Sequence, residues 1–180
     1  MAIENTGVTK HDFVGEAIML SATGIFKDEA ELSATLAQGV RESLQNQDQN
    51  QSREVLYGLA VLGGATLGLE HEDTERLVLA FHHLRDTGIG DRDDEDTTVP
   101  EEFLAEEVNG VYEAKGDTIF YHNVVRLHAR QVLAGTRNFN DRLLYRLGLL
   151  GGLEANLTQD EMVRFFQERI TSDKKSNVTI

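Results

Sequence analysis

The sequence contains no cysteine and no tryptophan, and its only proline is Pro100. Without cysteine, the chain can form neither disulfide bonds nor thiolate metal sites. Proline is the residue that most strongly interrupts helices, and the chain has no stretch in which Val, Ile, Thr and aromatic residues alternate as in a strand. These absences favour an all-α fold.

Long apolar runs are also missing. No run approaches the roughly 18 apolar residues of a membrane-spanning helix. The N-terminal sequence MAIENTGVTKHDF lacks the basic start and apolar segment of a secretory signal. We therefore expect a chain that does not enter a membrane, located in the cytoplasm or in a particle, such as a virion, assembled there.

Positive charge is scarce. The chain has 17 Lys and Arg against 31 Asp and Glu, which gives a formal charge of −14. Such a surface repels phosphate backbones, so broad binding of nucleic acid is not expected, although a local basic patch is compatible with this charge. Only five of the cations are lysines. An acidic, lysine-poor composition suits a halophilic protein, and an acidic mesophilic protein is the alternative.

Hydrophobic periodicity predicts about eight helices in two sets of four. The predicted segments are 12–22, 28–47, 53–64 and 72–88, followed by 100–112, 117–135, 141–152 and 158–170. The polar tract 45–51 predicts a loop, with Ser52 as the N-cap of the next helix. Thr158 and Glu161 have the spacing of a capping box, and Gly135 is expected to end a helix.

The two sets resemble each other. The stretch REVLYGLAVLGG (53–64) recurs 88 residues later as DRLLYRLGLLGG (141–152). This match predicts a helical bundle built by tandem duplication of a four-helix unit. The units would be residues 1–88 and 100–180, joined by an acidic linker at 89–99 or merged into one compact domain.

Each of the two matching stretches ends in a glycine pair, Gly63–Gly64 and Gly151–Gly152. Because glycine disfavours helix, we expect these pairs to mark helix ends, the first glycine in the left-handed conformation. The second glycine would let the following helix cross closely. Tyr57 and Tyr145 are expected on the packed faces, with their hydroxyl groups at the edge.

In segment 117–135 we expect Phe120, Val124, Leu127 and Leu133 to form the buried stripe. The same segment carries a row of His122, Arg126 and Arg130 at intervals of four residues. Such a row could contact an acidic protein partner or a neighbouring subunit, or it could be an ordinary surface stripe.

No catalytic residue, metal site or cofactor is predicted. The six histidines never lie three or four residues apart, so no helical pair can bind one ion. The carboxylate pair Glu106–Glu107 has the pattern of solvated surface charge. The acidic loop 91–102 partly matches a calcium loop, but Asp96 occupies the position that requires glycine, and a solvated linker is the alternative.

The sequence therefore favours a non-enzymatic helical assembly or interaction protein, which binds other protein chains or copies of itself. A virion structural component, such as a head–tail connector or adaptor, is the most specific expectation. The alternative is a cytosolic helical regulator or a module that binds a small ligand between the two bundles.

Overall fold

The computed structural model describes residues 29–46, 49–87, 102–114, 118–137 and 141–178. These residues form α-helices and connecting turns, with no strand among them. The α-helices are α1 (Glu29–Asn46), α2 (Gln49–Thr66), α3 (His71–Thr87), α4 (Asn109–Glu113), α5 (Ile119–Leu133), α6 (Asp141–Glu154) and α7 (Gln159–Val178). A π-helical segment, Leu104–Val108, leads directly into α4. The all-α prediction is confirmed.

Two parts of the predicted architecture lie outside the described residues. They are the first predicted helix, 12–22, and the acidic linker 89–99. The calcium-loop hypothesis falls largely on the same linker. Of its candidate ligands, only Glu102 lies in the described part of the chain, and it is exposed.

Helices α2 and α6 form the centre of the fold and make its most extensive helix–helix contact. Their backbones touch at two glycines. A Cβ atom added to Gly63 would fall on the carbonyl oxygen of Leu147, and one added to Gly151 would fall on that of Leu59. Because Leu147 and Gly151 follow Leu59 and Gly63 by 88 residues, the contact is reciprocal. Only glycine permits so close an approach of two helix backbones.

The turns that follow α2 and α6 have the same backbone hydrogen bonds. The N–H of Leu67 donates to the carbonyl of Gly63 at 3.1 Å, and the N–H of Ala155 donates to that of Gly151 at 2.9 Å. Two further bonds in each turn match with the same offset of 88 residues. The residue at the turn is left-handed in both, with φ of 78° at Gly68 and 62° at Asn156.

The glycine pairs are therefore not helix ends, and this expectation was wrong. Helix α2 continues to Thr66 and α6 to Glu154, and the left-handed residues come after the helices. The physical reason for the pairs is packing. The first glycine of each pair admits the other central helix, and the second admits the next helix. A Cβ added to Gly64 would lie 2.7 Å from Thr74 Oγ1.

The polar tract 45–51 also differs from its prediction. Helix α1 runs to Asn46 and α2 begins at Gln49, so most of the tract is helical. Ser52 is not an N-cap, because it lies inside α2, where it is buried and accepts a hydrogen bond from Arg169 Nη1 at 2.8 Å. Glutamine and asparagine can continue a helix when its other residues are anchored in a core.

Other helix-boundary predictions are confirmed. Thr158 and Glu161 form a reciprocal capping box, with the Thr158 N–H donating to Glu161 Oε1 at 2.9 Å and the Glu161 N–H donating to Thr158 Oγ1 at 3.1 Å. Arg41 of α1 donates to the same Glu161 side chain at 2.8 Å and so joins α1 to α7. Gly135 follows α5 with φ of 81°.

The buried apolar residues form one continuous cluster that includes side chains of all seven α-helices. Tyr57 and Tyr145 lie inside this core with almost no exposed surface, rather than at its edge. The ring of Tyr145 packs edge-on against Phe103 at 6.2 Å and Phe166 at 5.1 Å. Among the described residues, the two sets of helices therefore share a core.

Candidate functional site

Helix α5 presents large apolar side chains to solvent. Ile119, Phe120 and Leu127 are 72%, 78% and 58% exposed. With Asn123 and Arg130, which are also exposed, they lie within an arc of about 100° on the helix, at 100° per residue. We call these five residues the α5 surface. Contiguous exposed apolar residues of this size are typical of protein contact sites.

The predicted buried stripe of α5 was therefore wrong at Phe120 and Leu127. The face turned to the core carries Val125, Ala129 and Val132, together with His128. Apolar residues lie on opposite sides of this helix, so periodicity alone could not select the buried one. Packing against α6 selected the side with the smaller residues.

The predicted row of His122, Arg126 and Arg130 is divided between different roles. Arg126 Nε donates to the carbonyl of Leu67 at 3.1 Å, which ties α5 to the turn after α2. His122 Nδ1 lies 2.7 Å from the carbonyl of Thr118, one turn earlier in the chain. Arg130 is exposed at the edge of the α5 surface. Of the three, Arg130 is therefore the residue best placed to meet a partner.

A second group of polar residues lies between the π-helical segment, α5 and α6. Glu107 accepts hydrogen bonds from Tyr121 Oη and Arg146 Nε, both at 2.9 Å. Its other carboxylate oxygen accepts from Arg146 Nη2 at 2.9 Å and from Arg142 Nη1 at 3.4 Å. Arg146 Nη1 also lies 3.0 Å from His128 Nδ1. We call these five residues the Glu107 cluster.

Glu107 was predicted to be solvated surface charge, and this prediction was wrong. Its side chain is only 16% exposed. At 100° per residue, Glu107 lies between the buried Phe103 and Val111 on a regular helical wheel, so the helical period already places it on the inward face. Adjacent residues of a helix point about 100° apart, so the exposure of Glu106 does not extend to Glu107.

The electrostatics of the Glu107 cluster favour a structural link. Burial lowers the pKa of His128 to about 3, with further lowering by Arg137, Arg146 and Arg142. The imidazole is therefore neutral near pH 7. Because Arg146 can only donate, Nδ1 of His128 accepts and Nε2 carries the proton. Nε2 has no hydrogen-bond partner among the described residues.

Tyr121 and Glu107 fit the same interpretation. Burial raises the pKa of Tyr121 well above its usual value, and the Glu107 carboxylate raises it further. The phenol therefore remains a donor. With four donors on its two oxygens, Glu107 is committed to holding three helical segments together, which leaves it poorly suited to act as a general base.

No protein-family model, curated protein or solved structure matches this chain. Within the described residues, no group of three or more His, Asp or Glu side chains could hold a metal ion. No helix in the described part of the chain is both long and apolar enough to cross a membrane.

Proposed function

We propose that this chain is a non-enzymatic helical protein that assembles with other protein chains, and first of all with copies of itself. The exposure of Phe120 and its apolar neighbours on α5 carries the proposal. Leaving three large apolar side chains in water forgoes about 1.5–3 kcal/mol for each one that could be fully buried. A protein partner would recover part of that free energy.

The basic edge of the α5 surface suggests the chemistry of the partner. The chain has a net charge of −14, and Arg130 lies beside the apolar residues. An acidic helical surface would complement this arrangement, and another copy of the chain offers such surfaces. A narrower assignment, to a virion component such as a head–tail connector or adaptor, has the support of size and helical class.

We also propose that the fold arose by tandem duplication of a four-helix unit. Its support is the reciprocal contact of Gly63 and Gly151 and the matched hydrogen bonds of the two turns, all at an offset of 88 residues. A left-handed residue with these hydrogen bonds follows many unrelated helices, so the stronger support is the reciprocal glycine contact at the same offset.

The alternative of a ligand-binding module gains no support at Tyr57 and Tyr145, the tyrosines of the two central helices. Tyr145 is enclosed by Phe103 and Phe166, and Tyr57 is equally buried. Filled aromatic packing of this kind leaves little room for a ligand beside either ring.

Light scattering after size-exclusion chromatography tests the proposal. The wild-type chain is expected to have a mass above the 20.1 kDa of one copy, and Phe120→Ser is expected to shift it toward one copy. Glu102→Ser, at another exposed position, is the matched control and should leave the mass unchanged. A wild-type chain that is monomeric at every protein and salt concentration would refute self-assembly.

A further inference from the structure

The exposed residues of α5 have the spacing of a helix–helix contact. Phe120, Asn123, Leu127 and Arg130 are exposed at intervals of three, four and three residues, and Ile119 flanks them. Alternating steps of three and four keep side chains along one line of a helix, which is the pattern by which two helices interlock. The α5 surface therefore fits another α-helix.

The apolar surface that a second copy offers narrows the choice of that helix. Among the described residues, the large apolar side chains that are exposed are Leu79 of α3, at 38%, and the three on α5. On the described part of a second copy, Phe120 and Leu127 could therefore both meet apolar partners at one surface, and that surface is its own α5.

Charge also favours a contact between two α5 helices. Each copy carries a net charge of −14, so two copies repel each other over most of their surfaces. Of the seven α-helices described, α5 alone contains no Asp or Glu. An acidic helix of the other copy would meet Arg130, but it would set carboxylates against the apolar side chains. Contact through two α5 helices brings no carboxylate of either helix into the interface.

We propose that two copies pair through their α5 surfaces, with the two helices antiparallel about a twofold axis. Phe120 of each copy inserts between Leu127 and Arg130 of the other copy. The pairing rests on the proposed function and identifies the surface through which the copies meet. Because both copies use the same surface, the contact closes at two copies.

The antiparallel arrangement provides a partner for the polar residues of the α5 surface. The Arg130 guanidinium forms no hydrogen bond or ion pair with the described residues, and it would lie against the ring of Phe120 of the other copy in a cation–π contact. The two Asn123 side chains would lie beside the axis, less than one turn apart. Asn123 Oδ1 accepts from Arg126 Nη1 at 2.7 Å, which leaves the amide N–H groups to donate across the axis. A parallel pair would instead set Arg130 against Arg130.

A single introduced cysteine tests this geometry, because the chain has none of its own. In Asn123→Cys, the thiols of two copies would meet at the axis and should form a disulfide-linked dimer on oxidation in air. Gln167→Cys is the matched control, since Gln167 is also an exposed amide within a helix, α7. A time course on non-reducing gels should show that Asn123→Cys cross-links about tenfold faster than this control.

Two equilibrium measurements test the contact without cysteine. Leu127→Ser should raise the dissociation constant of the dimer about tenfold, whereas Leu79→Ser, at the exposed apolar residue of α3, should leave it unchanged. Salt should strengthen the pairing because it screens the repulsion between two acidic copies, whereas it would weaken the docking of Arg130 on an acidic surface. Analytical ultracentrifugation measures the dissociation constant, and circular dichroism verifies that each variant is folded.

The outcomes separate this contact from the proposed function. The wild type may pair while Asn123→Cys cross-links no faster than Gln167→Cys, while Leu127→Ser matches Leu79→Ser, or while salt weakens the pairing. In each of these cases the contact between α5 helices is wrong, another surface joins the copies, and the proposed function stands. If the wild type is monomeric at every protein and salt concentration, the self-assembly that both require is wrong.

Discussion

The close contact of α2 and α6 makes a specific prediction for Gly63→Ala. The added methyl group would fall on the carbonyl oxygen of Leu147. This obstacle is a backbone atom within a helix, so it cannot rotate away as a flexible side chain would. Helices α2 and α6 must therefore separate, and the side chains packed around their crossing must separate with them.

The expected magnitude follows from two opposing effects. Overpacking a core costs about 1–3 kcal/mol, and the upper end applies because the obstacle is backbone. Replacing glycine by alanine inside a helix raises the free energy of unfolding by about 1 kcal/mol. We expect a net loss of about 2 kcal/mol in the free energy of unfolding. For a chain of this size, that lowers the melting temperature by roughly 4–8 °C.

Urea unfolding followed by circular dichroism measures this change, and Gly110→Ala is the control. Gly110 is also helical, but a Cβ added there meets nothing within 4 Å. It should therefore show only the gain in helix propensity and stabilise the protein by up to about 1 kcal/mol. If Gly63→Ala is neutral or stabilising like Gly110→Ala, the packing argument is wrong.

The reciprocal geometry extends the prediction to Gly151→Ala, whose methyl group would fall on the carbonyl oxygen of Leu59. The two single variants should lose similar amounts of stability. In the double variant the helices are already separated, so the second methyl group should cost less than the first. Strict additivity would contradict a shared contact, because additivity is expected of independent sites.

Three further predictions concern other parts of the fold. The pKa of His128 is about 3 in the folded protein and near 6.5 in the unfolded chain, so between these values the unfolded state binds the additional proton. The free energy of unfolding should therefore fall by about 1.4 kcal/mol per pH unit as the pH drops from 6.5 toward 3. Urea midpoints should depend less on pH in His128→Gln than in the wild type. Glu107→Gln should lower the free energy of unfolding by about 1–3 kcal/mol. This is less than for a fully buried ion pair, because the arginine partners of Glu107 are partly exposed. An unchanged urea midpoint would refute the linking role of Glu107. Gly68→Ala should lower the free energy of unfolding by about 1 kcal/mol, measured by thermal unfolding, because Gly68 has a positive φ. Asn156→Gly should be neutral or slightly stabilising, because glycine adopts this conformation readily. Equal effects of the two substitutions would contradict the matched turns.

Within the described residues, the sequence predicted the positions of the helices well and their buried faces less well. Capping at Thr158 and termination at Gly135 depend on local hydrogen bonding and backbone conformation, which local residue types determine. The buried face of α5 depends on which side α6 covers, and apolar residues on two sides left that open. The inward position of Glu107 could have been predicted, because the buried Phe103 and Val111 lie four residues before and after it. Its partners Tyr121 and Arg146 could not, since they depend on how α5 and α6 pack.

The glycine pairs show how a correct pattern can suggest the wrong cause. Their recurrence correctly indicated that both helices share a backbone requirement. Helix termination was the explanation that involves only residues of the same helix. The requirement is in fact tertiary, since Gly63 must admit the backbone of α6 and Gly151 that of α2. From one sequence, a glycine that ends a helix and a glycine that admits another helix are indistinguishable until the partner helix is known.

The centre and the periphery of this fold differ in a way that bears on function. Gly63, Gly151 and the turns that follow them obey one offset closely, because a helix crossing at backbone distance tolerates little change. At the periphery the same offset relates a covered Leu32 to an exposed Phe120. The correspondence is looser away from the crossing of α2 and α6, where the buried Ala129 also corresponds to the exposed Arg41. An exposed aromatic side chain at a position that the other half buries adds little to the stability of one copy, and its burial between copies is what the proposed assembly would add.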